Sequence, residues 1–213
     1  MNERPILFSA PMVRAILEGH KTQTRRVIKQ QPERFWGSMD HAFASGVLQC
    51  VVTTDGKPRD KYIVCPYGVP GERLWVRETW TGTFHCDHFH VAYAADGSER
   101  CLDAPVAYIL PKAALKPSNW VTPLFMPRWA SRITLEITDV RVQRLQDISE
   151  QDSLAEGAAL DSDGFPMASA PIDDGYDTAI EWFADLWDSI NAKRGFGWDV
   201  NPWVWALTFR RIP

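Results

Sequence analysis

The chain has 213 residues, 45% of them hydrophobic and 23% charged, a composition that suits one globular domain with insertions or two small ones and excludes wholesale disorder. The 23 Lys and Arg against 27 Asp and Glu leave a formal net charge of -4, which excludes a histone-like basic binder while leaving room for a local basic site. No apolar run approaches the ~18–20 residues of a membrane span, and the opening MNERPILFSAPMVRAILEGH has neither an apolar core nor a small-residue cleavage site, so no secretory signal is expected.

Charge is spread unevenly. Residues 1–34 carry seven Lys and Arg against three Glu, whereas residues 145–192 carry twelve Asp and Glu and no Lys or Arg. Two readings follow. The N-terminal segment is a basic patch that holds phosphate or steers nucleic acid, or the two segments pair internally.

The first predicted element is a helix of about two turns. Ser9 is placed to cap it, Pro11 suits its first turn and Gly19 suits the position past its end. Met12, Val13, Ile16 and Leu17 form its apolar side, and the chain then enters Lys21-Thr22-Gln23-Thr24-Arg25-Arg26. Residues 30–69 lack clean periodicity and hold a turn signal at Asp55-Gly56, which predicts an insertion with one hairpin. The turn Pro70-Gly71-Glu72-Arg73 leads into a strand over 74–80. Residues 81–130, with Pro105, Pro111, Pro117, Pro123 and Pro127, read as a second insertion.

Ile133, Leu135 and Ile137 alternate with polar residues, the period of a half-buried strand. Asp139 breaks that register and Val140 and Val142 resume it, which predicts a bulge or bend. Ser149 opens a helix that Gly157 closes, and Asp152 sits in a weak capping box. Residues 158–177 are a loop by composition. Thr178 to Asn191 form an amphipathic helix with Ile180, Phe183, Trp187 and Ile190 on one face. A last strand alternates Trp203, Trp205, Leu207 and Phe209 with Val204, Ala206, Thr208 and Arg210. This order has no βαβ rhythm and no glycine-rich phosphate loop, which disfavours Rossmann and P-loop folds. It fits an α+β protein with a small curved or barrel-like sheet flanked by helices.

Four features bear on chemistry. Cys50, Cys65, Cys86 and Cys101 form no CxxC pair and read as reduced thiols of a cytoplasmic protein. His85, Cys86, Asp87, His88 and His90 crowd possible metal ligands into six residues, though a polar hairpin or loop is the plainer reading and no metal or other cofactor is assigned. In the basic segment, positive neighbours and partial burial would lower the pKa of Lys21, so that a neutral amine accepts the proton of the Thr24 hydroxyl. The plainer reading is a solvated basic segment. Glu156 lies in the last turn of its helix, where the dipole disfavours a carboxylate. Trp75, on a strand with Arg77 and Glu78, is the best of the ten tryptophans for stacking on a base.

Together these segments resemble the ASCH domain of the PUA-like superfamily, with the longer members from phages and prophages as the nearest likeness. The resemblance rests on Ile6-Leu7-Phe8, a short helix, Glu18-Gly19-His20-Lys21-Thr22-Gln23-Thr24-Arg25-Arg26, then Gly71-Glu72-Arg73-Leu74-Trp75-Val76-Arg77-Glu78 and the terminal Trp203-Val204-Trp205-Ala206-Leu207-Thr208-Phe209. It covers about 6–29, 70–80, 131–157 and 178–213 and leaves the insertions outside. It implies a small β-barrel with flanking helices and a cleft for RNA or a modified nucleoside. One bacterial branch hydrolyses the acetyl amide of N(4)-acetylcytidine with a lysine, a threonine three residues on and a glutamate in a later helix. Lys21, Thr24 and Glu156 match that pattern, with Glu150 as the fallback. Arg25, Arg26, Trp75 and Arg77 would then bind substrate. A non-catalytic RNA-binding module and a ribonuclease are the competing classes. The expected partner is a modified nucleoside or RNA, not a membrane.

Overall fold

The computed structural model describes residues 2–35, 46–54, 56–85, 88–102, 119–162, 164, 166 and 176–213. Its centre is a five-stranded sheet in the order β1 (Glu3–Leu7), β6 (Arg73–Arg77), β10 (Thr134–Arg144), β11 (Trp203–Ile212) and β2 (Gln23–Val27). β1 runs parallel to β6, and the other neighbours are antiparallel. Two three-stranded sheets accompany it. One holds β3 (Arg34–Phe35), β4 (Val47–Thr54) and β5 (Lys57–Val64); the other holds β7 (Trp80–His85), β8 (His88–Tyr93) and β9 (Glu99–Leu102). The helices are α1 (Ala10–Leu17), α2 (Glu150–Ala155) and α3 (Ala179–Asn191). The fold is mixed α+β, and among the described residues no helix is long and apolar enough to cross a membrane.

Among the described residues no strand pairing closes the central sheet, whose ends are β1 and β2. A closed barrel ladder is therefore not what holds it. Its ends nevertheless approach each other through side chains. Arg26 of β2 donates from Nη2 to the Leu7 carbonyl of β1 at 2.7 Å, and its guanidinium lies 5.2 Å from the Phe8 ring.

The alternation read from the sequence decides which faces are buried. Leu135, Ile137, Val140 and Val142 of β10 share the main core with Trp205, Leu207 and Phe209 of β11 and with Val13 and Ile16 of α1. The register slips between Ile137 and Asp139, and this bulge returns Val140 to the inner face. On the outer face Val204 packs with Phe183 and Trp187 of α3. β11 is thus covered on both sides, so Val204 and Ala206 are as buried as its aromatics.

Several elements depart from expectation. The strand over 74–80 divides: β6 stops at Arg77 and β7 starts at Trp80. Between them Glu78 is buried and takes two bonds from Arg132, from Nε and Nη2, each 2.9 Å. Segment 30–69 carries the expected hairpin, β4 and β5, and Leu48, Cys50 and Val52 of β4 enter the main core. Segment 81–130 contributes a second cluster, in which Phe89, Val91 and Tyr93 pack with Trp80. In α3 the buried face takes Trp182, whereas Ile190 is 43% exposed and borders a cavity. Ser9 precedes α1 without a side-chain cap bond. Most of 158–177 lies outside the described residues, as do Asp55 and the Cys86-Asp87 pair.

Candidate active site

Three stretches of chain meet at the open edge of β2. Gly19 takes φ +84, and the Lys21 amide then returns to the Ala15 carbonyl at 3.0 Å, which holds Lys21 against the end of α1. The Thr22 amide donates to the Ala155 carbonyl at 2.9 Å, which ties the start of β2 to the end of α2. The Ser149 hydroxyl starts α2 by accepting from the Asp152 amide at 3.1 Å, and Glu156 ends it. Gly157 follows at φ +105. A Cβ there would stand 3.1 Å from the Cβ atoms of both Ala15 and Lys21, so a glycine lets the turn press against the lysine.

The result is a buried ionic network. Lys21 Nζ donates to the Glu156 carbonyl at 2.6 Å and to its Oε2 at 2.7 Å. Arg25 donates from Nη1 to Glu156 Oε1 at 3.1 Å and from Nη2 to Asp152 Oδ2 at 2.8 Å. Asp152 also accepts from Gln23 at 2.9 Å and from Arg141 at 3.1 Å. The side chains of Lys21 and Arg25 have no exposed surface, and that of Glu156 has 3%. The basic N-terminal segment and the acidic later segment therefore do pair internally, at Lys21 and Arg25.

Burial pushes the Lys21 amine below its ordinary value. The Glu156 carboxylate and its hydrogen bond oppose this, and Arg26 and Arg25 add a smaller downward push. The sequence had suggested the arginines first; desolvation is the larger cause. Partial burial alone would raise the Asp152 carboxyl, yet Gln23, Arg141 and Arg25 outweigh it and hold the group low.

Thr24 and Arg26 face the other way. They pair with Leu207 and Trp205 of β11, and paired residues of an antiparallel ladder share a face. Because β2 is an edge strand, both of its faces border one cavity of about 140 Å³, lined by Thr24, Arg25, Arg26 and Glu156 on one side and by Phe183 and Ile190 on the other. An apolar cavity of about 150 Å³ holds a benzene ring, so this hollow is of the size of a single pyrimidine ring. A second hollow of about 330 Å³ adjoins it and shares Met12, Glu156 and Leu186.

Lys21, Arg25 and Glu156 are thus in direct contact. Among the described residues no hydrogen bond joins Lys21 to Thr24. Glu150 is elsewhere: its carboxylate accepts from the Ala179 amide at 2.9 Å and ties α2 to α3. Trp75 and Arg77 do not line the cavity. The Trp75 ring is buried, with the Arg77 guanidinium 4.6 Å and that of Arg128 6.0 Å from it. Among the described residues no group of three His, Cys, Asp or Glu could hold a metal ion, and Cys86 and Asp87 lie outside them. Cys50, Cys65 and Cys101 are free thiols.

Sequence reasoning missed Asp152, which it read only as part of a cap. The signal was present: Asp152 and Glu156 are four apart, so one helix face carries both carboxylates. It also missed Arg194 and Tyr67, which reach the cavity from segments with no local mark of function. No protein-family model, no curated protein and no solved structure matches this chain.

Proposed function

We propose that the chain is an ASCH-like protein that binds a modified nucleoside and hydrolyses an N-acyl amide such as that of N(4)-acetylcytidine, through Lys21, Thr24 and Glu156. The single observation that carries this reading is the buried Lys21–Glu156 pair at 2.7 Å behind a ring-sized hollow whose wall includes Thr24 and Arg26. The Arg26 bond to the Leu7 carbonyl, which links the two edge strands of the central sheet, supports a PUA-like plan for this sheet.

The chemistry runs in two steps. The Thr24 hydroxyl gives its proton to Lys21 by way of the Glu156 carboxylate, which borders the hollow with Thr24, as Oγ1 attacks the acetyl carbonyl. Burial favours the neutral amine that this requires. The C–N bond then breaks, the leaving amine takes a proton back from Lys21, and cytidine departs from an acetyl-threonine ester. Water attacks that ester, acetate leaves and Thr24 recovers its proton. Glu156 aims the lysine throughout.

Lys21→Ala tests the reading. The variant is expected to abolish release of cytidine from N(4)-acetylcytidine while near-native circular dichroism is kept. Unchanged turnover would end the proposal. One observation favours a second reading, a non-catalytic RNA-binding module: Lys21 and Arg25 are already satisfied by Glu156 and Asp152. On that reading a mixed RNA binds with steep salt dependence and no substrate is turned over.

A further inference from the structure

The cavity has a charge that the hydrolytic reading leaves unused. Its one acidic wall residue, Glu156, is already bonded by Lys21 and Arg25. Arg26, Lys29 and Arg194 also line it, and among the described residues none of the three pairs with a carboxylate. Arg26 spends one donor on the Leu7 carbonyl, and its buried Nε has no partner. Among the described residues Arg194 has only a 3.5 Å contact to Asn191 Oδ1. Lys29 and Arg194 are exposed and stand at the rim, while Arg26 is half-buried in the wall. The Tyr67 phenol lies among them. Burial raises its pKa, so it stays a neutral O–H donor, within the fields of both Arg26 and Arg194.

Three cations and one hydroxyl donor around a hollow with no free acid among the described residues form a site for a small multivalent anion. A neutral nucleoside would leave them unmatched. The lining also has an apolar part, Phe183, Leu186 and Ile190 of α3. That division suits a ligand with a flat ring at one end and a phosphate at the other. Resting on the nucleobase reading above, we propose that the cavity takes a nucleotide rather than a nucleoside, with its phosphate held by Arg26, Lys29, Arg194 and the Tyr67 hydroxyl.

Calorimetry on the full chain tests this with cytidine, cytidine 5′-monophosphate, cytidine 3′-monophosphate, a cytidine tetranucleotide and inorganic phosphate as competitor. At low salt a monophosphate is expected to bind roughly tenfold more tightly than cytidine, a gap of the size charge-assisted contacts produce. The double variant Lys29→Ala/Arg194→Ala, both exposed positions, should close that gap and leave cytidine affinity unchanged. Inorganic phosphate should displace the nucleotide and not cytidine. A tetranucleotide that binds better than both monophosphates, again only with Lys29 and Arg194 present, assigns the phosphate to an RNA strand; a monophosphate that binds best assigns it to a free nucleotide. Equal affinities for cytidine and its monophosphates, or a gap that survives in the double variant, would overturn the proposal. Nucleotide preference without deacetylation removes the hydrolase reading and keeps this subsite. Deacetylation without nucleotide preference does the reverse.

Discussion

Replacing Glu156 by Gln keeps the volume and removes one charge. Lys21 then retains the carbonyl of residue 156 at 2.6 Å but loses its counter-ion, in a place where its side chain has no exposed surface. Arg25 keeps Asp152 at 2.8 Å and is the lesser casualty. Removing one partner of a buried ion pair costs about 3–5 kcal/mol, because the other charge stays buried and uncompensated. With urea slopes of about 1–3 kcal/mol per molar, a loss of about 3 kcal/mol moves the unfolding midpoint down by roughly 1–3 M. The pH dependence has a definite sign. Burial already lowers Lys21 below its ordinary value, and Glu156 opposes this. Without the glutamate the folded-state value falls further. Between that value and the ordinary one, the unfolded chain binds a proton that the folded chain does not, so stability rises with pH. The stability of Glu156→Gln should therefore rise from neutral toward alkaline pH, and Lys21→Met added to it should restore part of the loss and remove that rise. The assay is urea unfolding at pH 7 and pH 9.5 for the wild type, the single variant and the double variant. A single variant within about 1 kcal/mol of wild type, or one whose stability rises with pH no more than that of the double variant, would refute the reasoning.

Thr24→Val is close in volume and, among the described residues, breaks no side-chain hydrogen bond; it should cost under about 1 kcal/mol of stability while deacetylation falls at least about 100-fold, as read by cytidine release and thermal melting together. Gly157→Ala should destabilise by about 1–3 kcal/mol, because alanine resists φ +105 and its methyl would press on Ala15 and Lys21 at 3.1 Å; thermal unfolding checks it. Asp96 accepts from Arg132 at 2.8 Å, and that bond, with help from Ser98, holds its carboxyl down at about 2 against an ordinary 3.8. Its contribution to stability is complete above that ordinary value and is lost as pH falls toward 2, so a carboxyl NMR titration should give a midpoint near 2 and Asp96→Asn should flatten the acid limb of the stability curve.

The ionic network changes what Arg25 can do. The sequence offers Arg25 and Arg26 as equivalent neighbours, but alternation along β2 sends them to opposite faces. Arg25 faces α2, where its Nη1 and Nη2 are bonded to Glu156 and Asp152, so it acts as a brace. Arg26 faces the interior, crosses to Leu7 and keeps an unpaired Nε at the cavity. One residue of offset on an edge strand separates a structural cation from one available to a ligand.

The elements whose signals are local were legible without coordinates. The period of two in β10 and β11, the slip at Asp139, the Ser149 cap, and the glycines that end α1 and α2 all appear where the sequence places them. Each depends on residues within a few positions of one another, so short-range sterics and backbone hydrogen bonding decide it. The convergence of Lys21 with Glu156, 135 positions later, is of another kind. It needs β2 and β10 to flank β11, α2 to turn back over the edge strand, and Gly157 to allow contact. The choice of Asp152 as a second anchor, the split of Arg25 from Arg26 across two faces, and the cationic rim that joins Lys29 to Arg194 were likewise set only by packing. Burial from water is a property of the whole fold, and it is burial that turns these ordinary side chains into a network with a lowered amine and a ring-sized hollow beside it.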